Sequence, residues 1–341
     1  MKKNEIKYGY ILGSVDLCNS TVIKSRFEDQ EPEYKNELYE AYLHDLYANE
    51  ITFYNNLVKS YKFFSNSNEN LLSSLYVLKN IGDEFWFRIK VDLNDTNKIA
   101  NIMMALYSAF EAIRSGWITI RKSDPKKSWQ SFEAPDFISF NYKTYFDLVD
   151  YAIDCSEIRY DFFKKNINQI IGRPTGNTNP EELNDLFKRL NVGNSFETPN
   201  NENHLHIDMI GYQIDNFFRH AKFAVNHMFA VGERLYGYLG NLSEKNMLTV
   251  TAGNPGLSCF NYFYWISKIF MPKGISNKYN VYYLIEEQAF EVLKLQIISF
   301  IQDNKDNIQD LKGVIDILNE IIHKYRLKST APNILDDFSI L

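Results

Sequence analysis

The order of hydrophobic patterns in the first third of this chain is its tightest constraint, because strand-like and helix-like segments alternate there and each must bury one face. Tyr8 to Leu17 is a short apolar, β-rich run closed by the polar stretch Asn19-Ser20-Thr21, and it reads as a buried strand ending on Asp16. From about Glu33 to Phe64, Leu38, Tyr42, Leu46, Phe53, Leu57 and Tyr61 recur at helical spacing, which predicts one or two helices. Leu75–Lys79 and Phe85–Val91 form a hairpin around Asn80-Ile81-Gly82-Asp83, where Gly82 can take the positive φ of a tight turn and Asp83 is presented at the tip. Asn94 or Asp95 can cap the next helix, whose stripe Ile99, Ile102, Met103, Leu106, Phe110 and Ile113 belongs to the core.

The middle of the chain is less legible. Residues from Lys122 to about Asn203 read as an insertion, with polar loops at Gly172–Pro180 and Asn191–Asn203 around a helical stretch. His204 to Ile210 reads as a short strand, and Gly211 to Leu235 as one helix turning Ile214, Phe217, Phe218, Ala221 and Val225 inward. Strands are expected at Met247–Thr251 and Val281–Ile285. Glu286 to Arg326 reads as two amphipathic helices with Ile308, Leu311, Ile315, Leu318 and Ile322 on one face.

Composition narrows the function. With 45% hydrophobic and 15% aromatic residues in 341, there is ample material for a large core. A formal charge of -6 argues against a sequence-independent grip on a nucleic-acid backbone, so an anionic ligand must meet a local basic cluster. Cys18, Cys155 and Cys259 are dispersed and odd in number, which argues against a disulfide framework or structural zinc and for a reducing compartment. No stretch resembles a signal peptide or a membrane span, so the expectation is a cytoplasmic protein without membrane contact.

Two carboxylates stand out, Asp16 at a strand end and Asp83 in a hairpin turn able to lie beside it. Hard cations such as Mg²⁺ or Mn²⁺ take oxygen ligands, and paired aspartates bridging two ions activate nucleophiles and hold phosphates. Leu17-Cys18-Asn19-Ser20-Thr21 makes a strand-to-helix turn whose amides can cradle phosphate oxygens. Each aspartate also has a plainer reading, a solvated turn or a helix cap. His204, His206 and Asp208 alternate as a strand would and offer a rival metal set. Cys18 reads as a small packed hydrophobe.

Read with their flanks, these segments resemble the class III adenylate and guanylate cyclases. Ser14-Val15-Asp16-Leu17-Cys18-Asn19-Ser20-Thr21 is similar to the first metal motif of that family, and Lys79-Asn80-Ile81-Gly82-Asp83-Glu84-Phe85 to the second. Asp208-Met209-Ile210-Gly211 followed by Asp215 and Arg219 resembles the third, with Asp215 standing where the family has asparagine. Asp215 and Arg219, four residues apart, share one helix face, the spacing of an ordinary surface ion pair as well. Pro272-Lys273-Gly274-Ile275 resembles the Lys-Gly-Ile segment before the family's last strand.

The resemblance implies an α+β fold with a ferredoxin-like βαββαβ core, over a domain at 1–290 carrying an insertion at about 122–203, then a helical extension at 291–341. It implies that Asp16, Asp83 and the Leu17 carbonyl hold two Mn²⁺ or Mg²⁺ ions. Cys18, Asn19, Ser20, Thr21 and Lys273 would bind the triphosphate, Lys79 and Asp208 the base, and Arg219 with Asp215 would serve catalysis. The variant third motif resembles that of pyrimidine cyclases of bacterial anti-phage signalling, which implies a UTP or CTP substrate, UTP being preferred. The sites would be shared across a homodimer, and the product would act on a separate effector that senses cyclic nucleotide. The rivals are an adenylate or guanylate cyclase, a dinucleotide cyclase suggested by Gly82-Asp83-Glu84-Phe85, and an inactive nucleotide- or partner-binding module.

Overall fold

The computed structural model describes residues 7–66, 70–123, 141–150, 152–154, 209–240, 263–274, 277–303, 311–325 and 327. Strand β1 (Tyr8–Leu17) leads through a Cys18–Asn19 turn into helices α1 (Ser20–Glu28) and α2 (Pro32–Ser65). Pro32 starts α2 where a missing N–H costs nothing, and Asn66 ends it with a φ of 47°. Strands β2 (Leu75–Ile81) and β3 (Glu84–Asp92) make the hairpin, with Gly82 at φ 64° in its turn. Helix α3 (Thr96–Ser123) is capped by Asp95, whose carboxylate accepts from the Lys98 amide at 2.9 Å.

After these come β4 (Tyr142–Val149), a short β5–β6 pair (Ile153–Asp154, Met209–Ile210) and α4 (Tyr212–Ala221). The remaining elements are β7 (Phe229–Gly232), α5 (Glu233–Gly240), β8 (Phe263–Phe270), β9 (Tyr279–Glu286), α6 (Glu287–Asp303) and α7 (Lys312–Tyr325).

Seven strands form one sheet in the order β2-β3-β1-β4-β7-β9-β8. All neighbours are antiparallel except β4 and β7. Within it, β3 lies between β1 and β2 while β1 lies between β3 and β4. With α1–α2 joining β1 to β2 and α3 joining β3 to β4, this is the expected ferredoxin-like βαββαβ core of an α+β fold. The pleat divides the interior in two. Ile11, Val15, Phe85, Phe87, Ile89 and Phe146 face α1, α2, α3 and α5. Leu12, Tyr145, Ala230, Tyr283 and Ile285 face α4, α6 and α7. At the outer strand β8, the Tyr325 hydroxyl accepts from the Trp265 amide at 3.2 Å and Lys324 donates to the Trp265 carbonyl at 3.0 Å, so the end of α7 caps that edge at Trp265.

Two differences from the sequence expectation matter. The stretch read as an insertion from about 122 to 203 contains β4, a central strand paired with β1 from Tyr10↔Val149 to Leu17↔Tyr142. The single helix expected over Gly211–Leu235 is instead α4, a turn with His227 at φ 64°, strand β7 and the start of α5. Phe229–Gly232 is buried on both faces, so its apolar run carries no strand alternation to distinguish it from helix. The expected strand at 247–251, residues 204–208 and Ile308 lie outside the described residues. Among the described residues no helix is long and apolar enough to cross a membrane.

Candidate functional site

Asp16 sits at the end of β1 with Glu84 of β3 opposite on one side and Lys143 of β4 opposite on the other. The cross-strand contact becomes an ion pair, Lys143 Nζ lying 2.8 Å from Asp16 Oδ2. Ser14, two residues back on the same face, donates its hydroxyl to Glu84 Oε1 at 2.6 Å. Burial pushes the Asp16 carboxyl above the usual carboxylate range; the Lys143 ammonium opposes this, and the nearby Asp83 charge adds to it. Burial also raises the Glu84 carboxyl, against the Ser14 and Trp86 hydrogen bonds. For Lys143, burial opposes the charged form, but Cys18, Asp16 and Glu84 outweigh it and the ammonium is held above the ordinary lysine range.

Asp83 follows Gly82 at the tip of the β2–β3 hairpin and points back over α1, where Lys24 Nζ meets its Oδ1 at 2.8 Å. The two aspartates thus lie within electrostatic reach of each other, as the chain order alone suggested. The turn between them is fixed from below. The Cys18 amide donates to the Asn141 carbonyl at 2.9 Å, and the fully buried Asn141 side chain donates to the Arg114 carbonyl at 3.3 Å and accepts from the Tyr142 amide at 2.7 Å. Asn19 holds φ 60° and makes no side-chain cap on α1. The first-turn amides of α1 therefore receive no cap from it, which leaves the helix N-terminus, with Ser20 buried and Thr21 exposed, suited to an anion.

Two hard-oxygen carboxylates beside a strand end fit a divalent cation. No three His, Cys, Asp or Glu side chains gather in metal-holding geometry among the described residues. An ion here would thus draw on the aspartates, a backbone carbonyl such as that of Leu17, and oxygens from solvent or substrate, which is the habit of Mg²⁺.

A second group lies on α4 and the turn after β8. Arg219 is exposed and its guanidinium donates to the Lys273 carbonyl. Gly274 beside it has φ 84°, and a Cβ there would stand 3.4 Å from Arg219 Nη1. Asp215 is exposed one helical turn before Arg219. The surface ion pair their spacing allows is not formed among the described residues. Behind α4, Phe218 stacks on Trp86 at 4.0 Å between centroids, and the His220 ring lies 4.4 Å from that of Tyr279. Lys79 lies on β2 opposite Trp86 in register, whereas Asp208, His204 and His206 lie outside the described residues.

The structure thus brings Asp16, Asp83 and the 17–21 turn together, and separately Arg219 and Lys273. Sequence reasoning missed Lys24, Lys143, Glu84 and Asn141. The β-rich run Tyr142-Lys143-Thr144-Tyr145-Phe146 was the available signal for Lys143.

No protein-family model and no curated protein matches the sequence. Among solved structures, the chain is similar to the adenylyl cyclase CyaB from P. aeruginosa, at 9% identity over 83% of this chain and 97% of that one, with a TM-score of 0.40. It is also similar to the guanylate cyclase domain of RhGC from Catenaria anguillulae in complex with GTP, at 12% identity over 83% and 98%, with a TM-score of 0.40. Likenesses this distant assign neither activity nor site residues.

Proposed function

We propose that the chain is a class III-type nucleotidyl cyclase that closes a pyrimidine nucleoside triphosphate, UTP in preference to CTP, into its 3′,5′-cyclic monophosphate and pyrophosphate. The observation that carries this reading is the approach of Asp83, from the hairpin tip, to Asp16, at the end of the neighbouring strand, beside the turn that opens α1.

Asp16, Asp83 and the Leu17 carbonyl hold the divalent ions, Mn²⁺ or Mg²⁺. When bound, these supply Lewis acidity that lowers the pKa of the ribose 3′-hydroxyl and offset charge on the phosphates. The turn amides of Asn19, Ser20 and Thr21 receive triphosphate oxygens at the positive end of α1, while the Cys18 amide, held by the Asn141 carbonyl, keeps the turn in place. Arg219 offers its guanidinium to the charge that develops on the α-phosphoryl oxygens as pyrophosphate departs, and Lys273 meets the leaving phosphates. Asp215 orients the ribose. Lys79 and Asp208 read the base, a donor and an acceptor suited to the polar edge of uracil or cytosine.

The family resemblance supports a head-to-tail homodimer whose sites combine the aspartates of one copy with the arginine and Lys273 of the other. The anti-phage role, with a separate effector responding to the product, rests on the resemblance of the third motif.

Incubation with each of the four ribonucleoside triphosphates and Mn²⁺, followed by chromatography, tests the reading. Cyclic UMP is the expected main product. Cyclic AMP or cyclic GMP in its place would overturn the base assignment, a dinucleotide would overturn the intramolecular closure, and no product would leave a binding module.

A further inference from the structure

Each of the two aspartates already has an ammonium partner, and the partners come from different elements. Lys143 of β4 meets Asp16 Oδ2 at 2.8 Å, and Lys24 of α1 meets Asp83 Oδ1 at 2.8 Å. Neither contact is sealed in, since the lysine side chains are 28% and 31% exposed. Both stems are long, flexible and free to swing outward.

An ammonium at hydrogen-bond distance from a carboxylate oxygen competes with a divalent ion for that oxygen, because the two cations repel at such range. The two lysines also flank the turn that opens α1. Lys24 stands one helical turn beyond Ser20 and Thr21, and Lys143 lies within electrostatic reach of Cys18. An ammonium leaving either carboxylate is therefore released beside the place where triphosphate oxygens would lie.

We infer that Lys24 and Lys143 are polyphosphate ligands that exchange partners: they neutralise Asp83 and Asp16 in the metal-free protein, and pass to phosphate oxygens of the substrate once divalent ions hold the carboxylates. This rests on the metal reading of Asp16 and Asp83. It adds two binding residues from the same chain as the aspartates to Lys273, which is grouped with Arg219. Loading the site is then an exchange of cations, with the metal-free state kept electrically balanced.

The test uses the full chain without nucleoside triphosphate. Free Mn²⁺ is followed by electron paramagnetic resonance in the wild type and in Lys24→Met, Lys143→Met and Asp83→Asn, and pyrophosphate is then titrated calorimetrically at saturating Mn²⁺. With its competitor removed, each lysine variant should bind Mn²⁺ about threefold more tightly, the range of a partly exposed ion pair. Each should also lose about tenfold in pyrophosphate affinity, as expected for a lost charge-assisted hydrogen bond. Lys24→Gln and Lys143→Gln should repeat both signs, and thermal unfolding identifies any variant that fails to fold.

A lysine variant that misses either effect removes that lysine from the assignment, and failure of both overturns the inference. If Asp83→Asn weakens Mn²⁺ binding while the lysine variants match the wild type, the lysine assignment alone is overturned. If Asp83→Asn binds Mn²⁺ as the wild type does, the metal reading falls and the inference with it.

Discussion

Arg219 donates from its guanidinium to the backbone carbonyl of Lys273, 54 residues further along the chain, so α4 and the turn after β8 act as one unit. Gly274 maintains the turn with φ 84°, a conformation side-chain-bearing residues rarely adopt. Gly274→Ala should therefore cost about 1 kcal/mol in stability yet lower turnover about tenfold through displacement of Arg219. Arg219→Ala should lose about a hundredfold or more. Because both changes act on one contact, the double variant should be little worse than Arg219→Ala alone; multiplied losses in a product-formation assay would separate the two residues.

Asp83→Ala and Arg219→Ala should each lose about a hundredfold or more in cyclisation while leaving the fold intact, since both side chains lie at the periphery of the core. Mixed under conditions that exchange subunits, the two proteins should recover about a quarter of wild-type activity, from the fraction of sites in which both groups are intact. Continued inactivity, with exchange verified by mass spectrometry, would count against shared sites.

Asp147, on β4, is 5% exposed and accepts from the Leu148 amide at 2.8 Å, the Leu235 amide at 3.1 Å and the hydroxyls of Tyr145 and Tyr279. Burial nevertheless pushes its carboxyl up to about 6, with these hydrogen bonds opposing the rise. In the folded protein it takes up a proton near pH 6, and in the unfolded chain only near 4, so its contribution to stability grows as pH falls through that window. The gain approaches about 3 kcal/mol and disappears as pH rises past 6. Asp147→Asn should flatten this part of the profile of unfolding free energy against pH. An unchanged slope between pH 6 and 4 would show that Asp147 is not its source.

Gly232 makes room for that carboxylate. A Cβ there would stand 2.2 Å from Asp147 Oδ2 and 2.5 Å from the Tyr145 hydroxyl, both held by other contacts. Gly232→Ala should cost about 3 kcal/mol in denaturant unfolding. Combined with Asp147→Ala, its further cost should shrink, because one of the two clashing groups is gone and the Tyr145 hydroxyl has lost its partner there.

The first ninety residues were legible because each element there declares itself locally. Strand β1, the helical stripe from Leu38 to Tyr61 and the Gly82 turn were all placed by period and turn chemistry alone. Strand β4 escaped because nearly all its side chains are buried on both faces, so no polar alternation marks it, and Lys143 and Asp147 interrupt its apolar run. The candidate site divides in the same way. Asp16 and Asp83 carry their context in adjacent residues, but Lys24 and Lys143 acquire meaning only when β1, β4 and α1 meet. No spacing in the sequence encodes those ion pairs.

Tyr325 and Lys324 occupy the outward backbone groups of Trp265, so the margin of the sheet at β8 is plugged at that residue, while β2 forms the other margin. A strand arriving at β8 from another molecule would have to displace that plug before it could pair there. The last helix thus acts as a guard on the edge it packs against, trading an open backbone position for contacts within the chain.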